Sequence, residues 1–158
     1  MSARAIGWTF VGVQALLIGA LIVVPNGDLY ALPDWARIIV DIAFWLGVAL
    51  ALLAGLALGR SLTATPVPRT QATLRTSGPY RFVRHPIYTG VVVLVVAMAI
   101  RSEHVAGIAL GAATIAFFHV KAGWEERQLT ARFDGYAAYA ACTPRFLPSP
   151  SSLRTFRP

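Results

Sequence analysis

Two long apolar runs constrain the fold of this chain more than any other feature of its sequence. Residues 5–24 carry no charged side chain, and residues 38–58 carry only Asp41. A helix of about twenty residues rises about 30 Å, which is the thickness of the hydrocarbon core of a bilayer. Pro-Asn-Gly-Asp at 25–28 has the composition of a turn and ends the first run. Both runs therefore predict membrane-spanning helices, and Arg37 can pair with Asp41 on one face of the second.

Composition supports the same interpretation. The chain has 158 residues, of which 56% are hydrophobic and 13% are charged, and its mean hydropathy is +0.61. Soluble domains carry about 25% charged residues, so we expect one polytopic membrane domain over residues 1–158. A net charge of +7 would suggest nucleic acid as a partner of a soluble chain. Here the placement of arginine explains the charge better, and we expect no nucleic-acid partner.

Two shorter apolar runs follow a polar connector, residues 60–84, whose prolines favour extended backbone. Residues 87–100 and 105–120 flank the polar segment Arg-Ser-Glu-His, a pattern that predicts a hairpin of short helices. No G-x-G-x-x-G motif is present, so we expect no Rossmann domain. The predicted fold is all-α, with four transmembrane helices at about 5–24, 38–58, 86–101 and 104–133, the last two a short hairpin, then a cytoplasmic C-terminal helix and tail within 134–158.

Arginine placement predicts the orientation. The connector contains no acid and carries Arg60, Arg69, Arg75, Arg81 and Arg84. Positively charged side chains are enriched in cytoplasmic loops. We therefore expect a multi-pass protein of the cell (inner) membrane, with both termini and the connector in the cytoplasm.

The first polar block that could carry chemistry lies where the third helix is expected to begin. A lone histidine such as His85 near a membrane surface is usually only an interfacial polar residue. Here Pro86 suits the first helical position, which leaves the first-turn N–H groups free to hold an anion or a polar ligand. Tyr80 and Tyr88 add aromatic faces, which attract cations, including a sulfonium.

The second polar block begins at Lys121, one helical turn before Glu125. A snorkelling lysine and a solvated acid would be the plain interpretation of this pair. However, Glu125 and Glu126 lie in the C-terminal part of the helix, where cations are preferred, so we interpret the acids as ligand-binding. Gln14, within the first helix, is expected to form an interhelical hydrogen bond, with a substrate contact as its second possible role.

Glycine pairs and histidines complete the set of candidates. Gly55 with Gly59 and Gly107 with Gly111 have the spacing that permits close helix packing. The histidines outside the first polar block lack carboxylate or cysteine neighbours at a ligand spacing, so no metal site is expected. The single cysteine also excludes an internal disulfide.

Taken together, these motifs resemble the isoprenylcysteine carboxyl methyltransferase family, integral-membrane methyltransferases that include relatives of phospholipid N-methyltransferases. The resemblance covers roughly residues 72–148, about half of the chain. The order and spacing of the motifs together support the resemblance. The motifs are Thr-Ser-Gly-Pro-Tyr at 76–80, Arg-His-Pro-Ile-Tyr-Thr-Gly at 84–90, Glu-Glu-Arg-Gln-Leu at 125–129, Phe133, Tyr136, Tyr139 and Pro-Arg-Phe-Leu-Pro at 144–148.

The resemblance implies that S-adenosylmethionine is the methyl donor and that no metal takes part. Lys121 stands where eukaryotic members carry an arginine that faces the substrate, which implies a role in positioning the acceptor. The positions that match the donor-binding residues of the family are Ala72, Thr73, Leu74, Arg75, Tyr80, His85, Pro86, Ile87, Tyr88 and Glu125.

The acceptor remains open among several classes. The family default is the carboxylate of an isoprenylcysteine-like compound, which would be O-methylated. Because lysine cannot hold a carboxylate through two parallel bonds as arginine can, a lipid amine or a thiol is the alternative. A non-enzymatic membrane scaffold that keeps the fold is the remaining hypothesis. The expected partners are the bilayer and a lipophilic small molecule, with no obligate protein partner.

Overall fold

A computed structural model describes residues 2–59 and 73–148. All regular structure in these two ranges is helical, which confirms the predicted all-α fold. A 3₁₀ helix at Gly78–Arg81 precedes the third α-helix. The five α-helices are α1 Ala3–Ile22, α2 Asp34–Leu58, α3 Pro86–Arg101, α4 Val105–Arg132 and α5 Tyr136–Cys142.

The N-terminal ends of α1, α2 and α3 follow local capping chemistry. The Ser2 hydroxyl accepts a hydrogen bond from the Ala5 N–H (3.2 Å), so α1 begins before the expected residue 5. The start of α2 at Asp34 is also earlier than the expected residue 38, because extended Pro33 precedes an acid in the first turn. Pro86 occupies the first position of α3, as expected.

Three of the described helices, α1, α2 and α4, are long and apolar enough to cross a membrane. α3 is apolar as well, but its 16 residues rise about 24 Å, less than the hydrocarbon core. The expected hairpin of α3 and α4 is therefore made of one short arm and one arm of 28 residues. Large apolar side chains such as Leu16 and Leu56 are exposed on α1 and α2, as in helices that face lipid.

The closest helix crossing joins α2 to α3. A Cβ on Gly90 would lie 2.6 Å from the Gly47 carbonyl oxygen, and one on Gly47 would lie 2.7 Å from the Gly90 carbonyl oxygen. Side chains at either position would force the two backbones apart. The last glycine of the resembling motif at 84–90 is thus explained by packing rather than by ligand contact.

The two predicted glycine pairs have different outcomes. Gly107 and Gly111 do allow close packing, because a Cβ at either position would collide with Ser102 or Ala99 of the preceding arm. A Cβ added at Gly59 would meet nothing within 4 Å, and Gly59 caps the C-terminal end of α2 with φ +52. Close packing does not explain Gly59, so that prediction was wrong. Its positive φ is typical of a glycine at the C-terminal end of a helix.

Ion pairs at one end of the bundle join different elements. Arg37 pairs with Glu103 in the α3–α4 turn (2.5 Å), and Asp41 pairs with Arg101 (3.4 Å). The expected pairing of Arg37 with Asp41 within α2 was therefore wrong. The Gly27 N–H donates to the Ser102 carbonyl (2.7 Å), which ties the α1–α2 loop to the same turn. We call this the distal end.

The opposite end, which we call the proximal end, is where α1 and α3 begin and α2 ends. Phe10 of α1 packs against Phe117 and Trp124 of α4, with ring centroids 5.8 and 5.6 Å apart. Farther along α1, Leu21 lies in a core cluster with Val95 of α3. The beginning of α1 therefore lies beside the C-terminal half of α4.

Candidate functional site

His85 and Tyr88 form the first wall of the candidate site, at the start of α3. His85 is buried and precedes Pro86, so its position is fixed by the helix start. The rings of His85 and Tyr88 stack with centroids 5.3 Å apart and planes 2° apart. The first turn of the helix thus presents two aromatic rings as one rigid unit.

A hydrogen bond joins this wall to α4. The Tyr88 hydroxyl donates to Glu125 Oε2 (2.7 Å), and His85 Nδ1 lies 3.7 Å from the same oxygen. The Glu125 side chain remains 24% exposed. The two polar blocks, far apart in the sequence, are therefore two walls of one site, and the partly exposed Glu125 side chain lies between them.

The neighbouring acid, Glu126, is bound within the protein instead. Arg145 holds its carboxylate through two nitrogens at 3.1 and 2.5 Å, and Arg84 lies 3.2 Å away. His85 Nε2 is 3.0 Å from Glu126 Oε1. With 13% of its side chain exposed and these partners, Glu126 serves the structure. The interpretation of both acids as ligand-binding was therefore wrong for Glu126.

The segment after α5, residues 143–148, is fastened to the start of α3 by its main chain. The N–H groups of Arg84 and His85 donate to the carbonyls of Pro144 (2.8 Å) and Arg145 (3.1 Å). The Thr89 hydroxyl donates to the Phe146 carbonyl (2.9 Å). Part of the Pro-Arg-Phe-Leu-Pro motif is thus explained as a brace across the first turn of α3.

Lys121 lies inside the bundle. Its residue exposure is 4%, and its ammonium donates to the Gln14 side-chain oxygen on α1 (2.5 Å). The same nitrogen lies 5.0 Å from the centroid of the Tyr88 ring and 5.7 Å from that of Phe118. The structure therefore rules out a snorkelling lysine and confirms the interhelical hydrogen bond expected of Gln14.

Tyr80 closes the site from the side of the connector. Its hydroxyl contacts the Ala54 carbonyl of α2 (3.4 Å), and its own carbonyl accepts from the Tyr139 hydroxyl (2.5 Å). Burial, and after it the negative charge of Glu125, raise the pKa of Tyr80 above its ordinary value. Its hydroxyl therefore stays protonated at neutral pH and can act as a hydrogen-bond donor.

The other predicted donor-binding residues of the connector are less closely tied to this site. The Arg75 guanidinium donates to the Ala57 carbonyl at the end of α2 (3.0 Å), a favourable place for a cation. Thr73 and Leu74 lie in the irregular segment just before Arg75. Ala72 lies outside the described residues. The donor-binding role of these four residues stays a prediction.

Residues 35–135 match the sequence model of the phospholipid methyltransferase family. The chain belongs to this family. The match runs from α2 to the end of α4, so it includes His85, Tyr88, Lys121 and Glu125. No curated protein matches the chain.

As a member of the phospholipid methyltransferase family, the protein is an integral-membrane methyltransferase. Methyltransferases of this family generally use S-adenosylmethionine. The described residues fit such a donor chemically, because the carboxylate of the partly exposed Glu125 side chain suits its cationic and hydroxyl groups. The cation above the Tyr88 ring is the ammonium of Lys121, so the expectation that this ring attracts a sulfonium receives no support from the geometry.

Sequence reasoning did not foresee the ion pairs that brace the site of this methyltransferase, which join Glu126 to Arg84 and Arg145. One signal was available, namely an arginine in the tail motif at 144–148 and a pair of adjacent acids in α4. Successive helical residues point about 100° apart, so two adjacent acids cannot face the same ligand equally. This geometry implies that the two acids have different roles, but it does not indicate which of them is available to a ligand.

Proposed function

We propose that this protein transfers a methyl group from S-adenosylmethionine to a lipophilic acceptor that reaches the proximal end of the bundle from the bilayer. The observation that carries the proposal is the hydrogen bond from Tyr88 to Glu125, whose side chain remains partly exposed. The neighbouring Glu126 is fully engaged by arginine. One acid of the pair is thus available to a ligand, as donor binding requires.

We assign donor binding to Glu125, Tyr88 and His85, with Tyr80 and the segment 73–75 beside them. When bound, the donor would supply an electrophilic methyl group on a sulfonium, which needs no metal. Glu125 would accept hydrogen bonds from the donor, and the stack of His85 on Tyr88 would hold the carboxylate's partner hydroxyl in place. Methyl transfer is an in-line displacement that depends on alignment and desolvation more than on acid–base groups.

The acceptor is assigned to the side of the site where Lys121 lies. An ammonium at this position would attract a carboxylate or a phosphate. By the narrower resemblance, the acceptor is the carboxylate of an isoprenylcysteine-like compound. The description of the matched family supports the alternative, the amine of a phospholipid, which also carries an anionic phosphate.

The reaction would take place at the cytoplasmic surface of the cell membrane. The described part of the connector, residues 73–84, and the segment 143–148 lie at the proximal end, together with the beginning of α1. Positively charged loops favour the cytoplasm. A donor dissolved in the cytoplasm and an acceptor dissolved in the bilayer would meet there.

The proposal is tested by supplying methyl-labelled S-adenosylmethionine to the purified protein in detergent, with a lipid extract and with defined acceptors. We expect label in a lipophilic product, with its identity showing O-, N- or S-methylation. Asp41→Asn, at the distal end, serves as the matched active control because its ion pair with Arg101 is exposed. Donor binding without any labelled product would favour the scaffold hypothesis, and absence of donor binding would contradict the proposed function.

A further inference from the structure

The surroundings of Lys121 are unusual for a buried cation. Within the described residues, the ammonium forms no ion pair with a carboxylate, although the residue is 4% exposed. Its neighbours are the neutral oxygen of Gln14 and the rings of Tyr88 and Phe118. Burying a charge is costly unless it is paired and hydrogen-bonded. The carboxylate of Glu125 adds a negative charge nearby but beyond ion-pairing distance, so the ammonium keeps the capacity to bind an anion.

Gln14 uses a part of the bonding capacity of this ammonium. A lysine ammonium has three N–H donors and no acceptor, and one of them is directed to Gln14. The remaining donors lie beside Tyr88, whose hydroxyl reaches Glu125. An anionic group that binds Lys121 would therefore lie close to the residue assigned to the donor.

Gln14 belongs to α1, which lies outside the family match at 35–135. Its side chain sets where the ammonium can sit, because Lys121 has four rotatable methylene positions and this is its anchoring hydrogen bond in the described structure. Being neutral, Gln14 fixes the cation without cancelling its charge. A glutamate at the same position would fix the cation and also neutralise its charge.

We propose that Gln14 is a positioning residue that holds the Lys121 ammonium, which forms no ion pair among the described residues, as the binding point for the anionic group of the acceptor. The acceptor is accordingly a lipid with an anionic group, which is either a carboxylate that is itself methylated or a phosphate close to the methylated group. This inference rests on the proposed function for the identity of the ligand. The charge arrangement on which it stands is independent of turnover.

The direct test is Gln14→Glu, which keeps the length of the side chain and places a carboxylate against the ammonium. Equilibrium binding is measured with N-acetyl-S-farnesylcysteine, an acceptor analogue with a carboxylate, and with its uncharged methyl ester. We expect roughly tenfold or greater weakening for the carboxylate form, because a hydrogen bond to a charged group is lost. Affinity for the methyl ester and for S-adenosylmethionine should stay within about twofold of wild type.

A second pair of probes distinguishes the source of the anion. Lysophosphatidic acid carries a phosphate and no amine, and a monoacylglycerol of the same chain length carries neither group. Preference of the wild type for the phosphate ligand over its neutral counterpart, abolished by Gln14→Glu, would assign the anion to a phospholipid headgroup. If wild type binds neither anionic probe better than its neutral partner, the inference is overturned.

Exchange of the two residues separates positioning from packing. The double variant Gln14→Lys with Lys121→Gln keeps the hydrogen bond and the total charge but moves the cation to α1. We expect its melting temperature to match wild type while binding of the anionic probe stays weakened about tenfold. Full recovery of anion binding in the exchanged protein would show a merely structural pair and contradict the inference.

Failure of the proposed function would look different. Wild type could bind the anionic probes through Lys121 and lose them in Gln14→Glu, yet transfer no methyl group. That result would support the anion site and contradict the enzyme. Conversely, methyl transfer to an anionic acceptor with unchanged kinetic constants in a folded Gln14→Glu protein would support the enzyme and overturn the role given to Gln14.

Discussion

At the residue scale, two adjacent glutamates divide the work of the site. Glu126 is fixed by Arg84, Arg145 and His85, and Glu125 receives the Tyr88 hydroxyl and keeps accessible surface. The hydrogen bonds from Arg145 to Glu126 also raise the pKa of that arginine above its ordinary value. Glu126 is thus fixed by ion pairs, whereas Glu125, on the same turn of α4, remains available to a ligand.

Tyr88→Phe tests whether the available acid depends on its hydroxyl partner. Phenylalanine keeps the ring stacked on His85 but removes the hydrogen bond to Glu125. We expect a lower melting temperature, because an internal hydrogen bond to a charged group contributes about 1.5–3 kcal/mol. We also expect weaker binding of S-adenosylmethionine, measured by calorimetry, because the Glu125 carboxylate is no longer held in position.

Tyr136→Phe is the matched control for that change. The Tyr136 hydroxyl is buried and has no hydrogen-bond partner among the described residues. Burial and the charge of Glu126 raise its pKa, so the hydroxyl is neutral and its removal costs no charge interaction. Donor affinity should remain at the wild-type level. Equal losses in both tyrosine variants would contradict the special role of Tyr88.

Some of these residue roles could be predicted from the sequence and others could not. Lys121 and Glu125 were singled out because a helix places residues four apart on one face. The contact of Lys121 with Gln14 joins residues 107 positions apart, and it depends on how α1 rotates against α4. Local spacing carries no information about that rotation. The burial of Lys121 was missed for the same reason.

At the element scale, the crossing of α2 and α3 positions the first wall of the site. Gly47 and Gly90 let the two backbones approach, and Gly90 lies on the same helix as His85 and Tyr88, close to its first turn. Close approach strengthens dispersion contacts and backbone complementarity, which drive helix association in membranes. The position of the His85 side chain relative to α4 therefore depends on how closely α2 and α3 approach each other.

Gly90→Ala should loosen the crossing. Its new methyl group would lie 2.6 Å from Ala51 N and from the Gly47 carbonyl oxygen, neither of which can move without moving α2. Overpacking of this kind costs about 1–3 kcal/mol, so we expect a lower melting temperature in detergent and weaker donor binding. The measurement is thermal unfolding with and without S-adenosylmethionine.

Gly12→Ala in α1 provides the comparison, because nothing lies within 4 Å of its added Cβ. Alanine is favoured over glycine within a helix by about 0.5–1 kcal/mol, so its melting temperature should be equal to or above that of wild type. A Gly90→Ala protein as stable as Gly12→Ala would contradict the account of the crossing.

The extents of the helices were largely predictable, whereas their contacts were not. Apolar run lengths located α1, α2 and the hairpin, because a bilayer requires a minimum length of apolar helix. The pairing of Arg37 with Glu103 instead of Asp41 was not predictable. It requires knowing that the α3–α4 turn lies beside the beginning of α2, which is a property of the assembled bundle.

At the scale of the whole molecule, the proximal and distal ends differ in their chemistry. The proximal end gathers His85, Glu125 and the brace at 143–148, and the distal end holds two ion pairs beside a tight turn. The outer faces of α1 and α2 are apolar. The candidate site therefore lies at one end of the protein, and the other end is held together by ion pairs.

The proposed orientation places the proximal end in the cytoplasm. In a Cys142→Ala background, a cysteine at the exposed position Asp134 should react with a membrane-impermeant thiol reagent after the cells are permeabilised, and not before. A cysteine at the exposed distal residue Leu29 should react in intact cells. Reaction of the Asp134 variant in intact cells would reverse the orientation.

The most direct test of the whole account is calorimetric titration of S-adenosylmethionine into wild type, Glu125→Gln and Asp41→Asn. Glu125 is the accessible acid of the proximal site, and Asp41 belongs to an exposed ion pair at the distal end. We expect one binding site in wild type and Asp41→Asn, and affinity reduced by about tenfold or more in a folded Glu125→Gln protein. Equal affinity in all three proteins, or no binding to wild type, would contradict the assignment of the donor site.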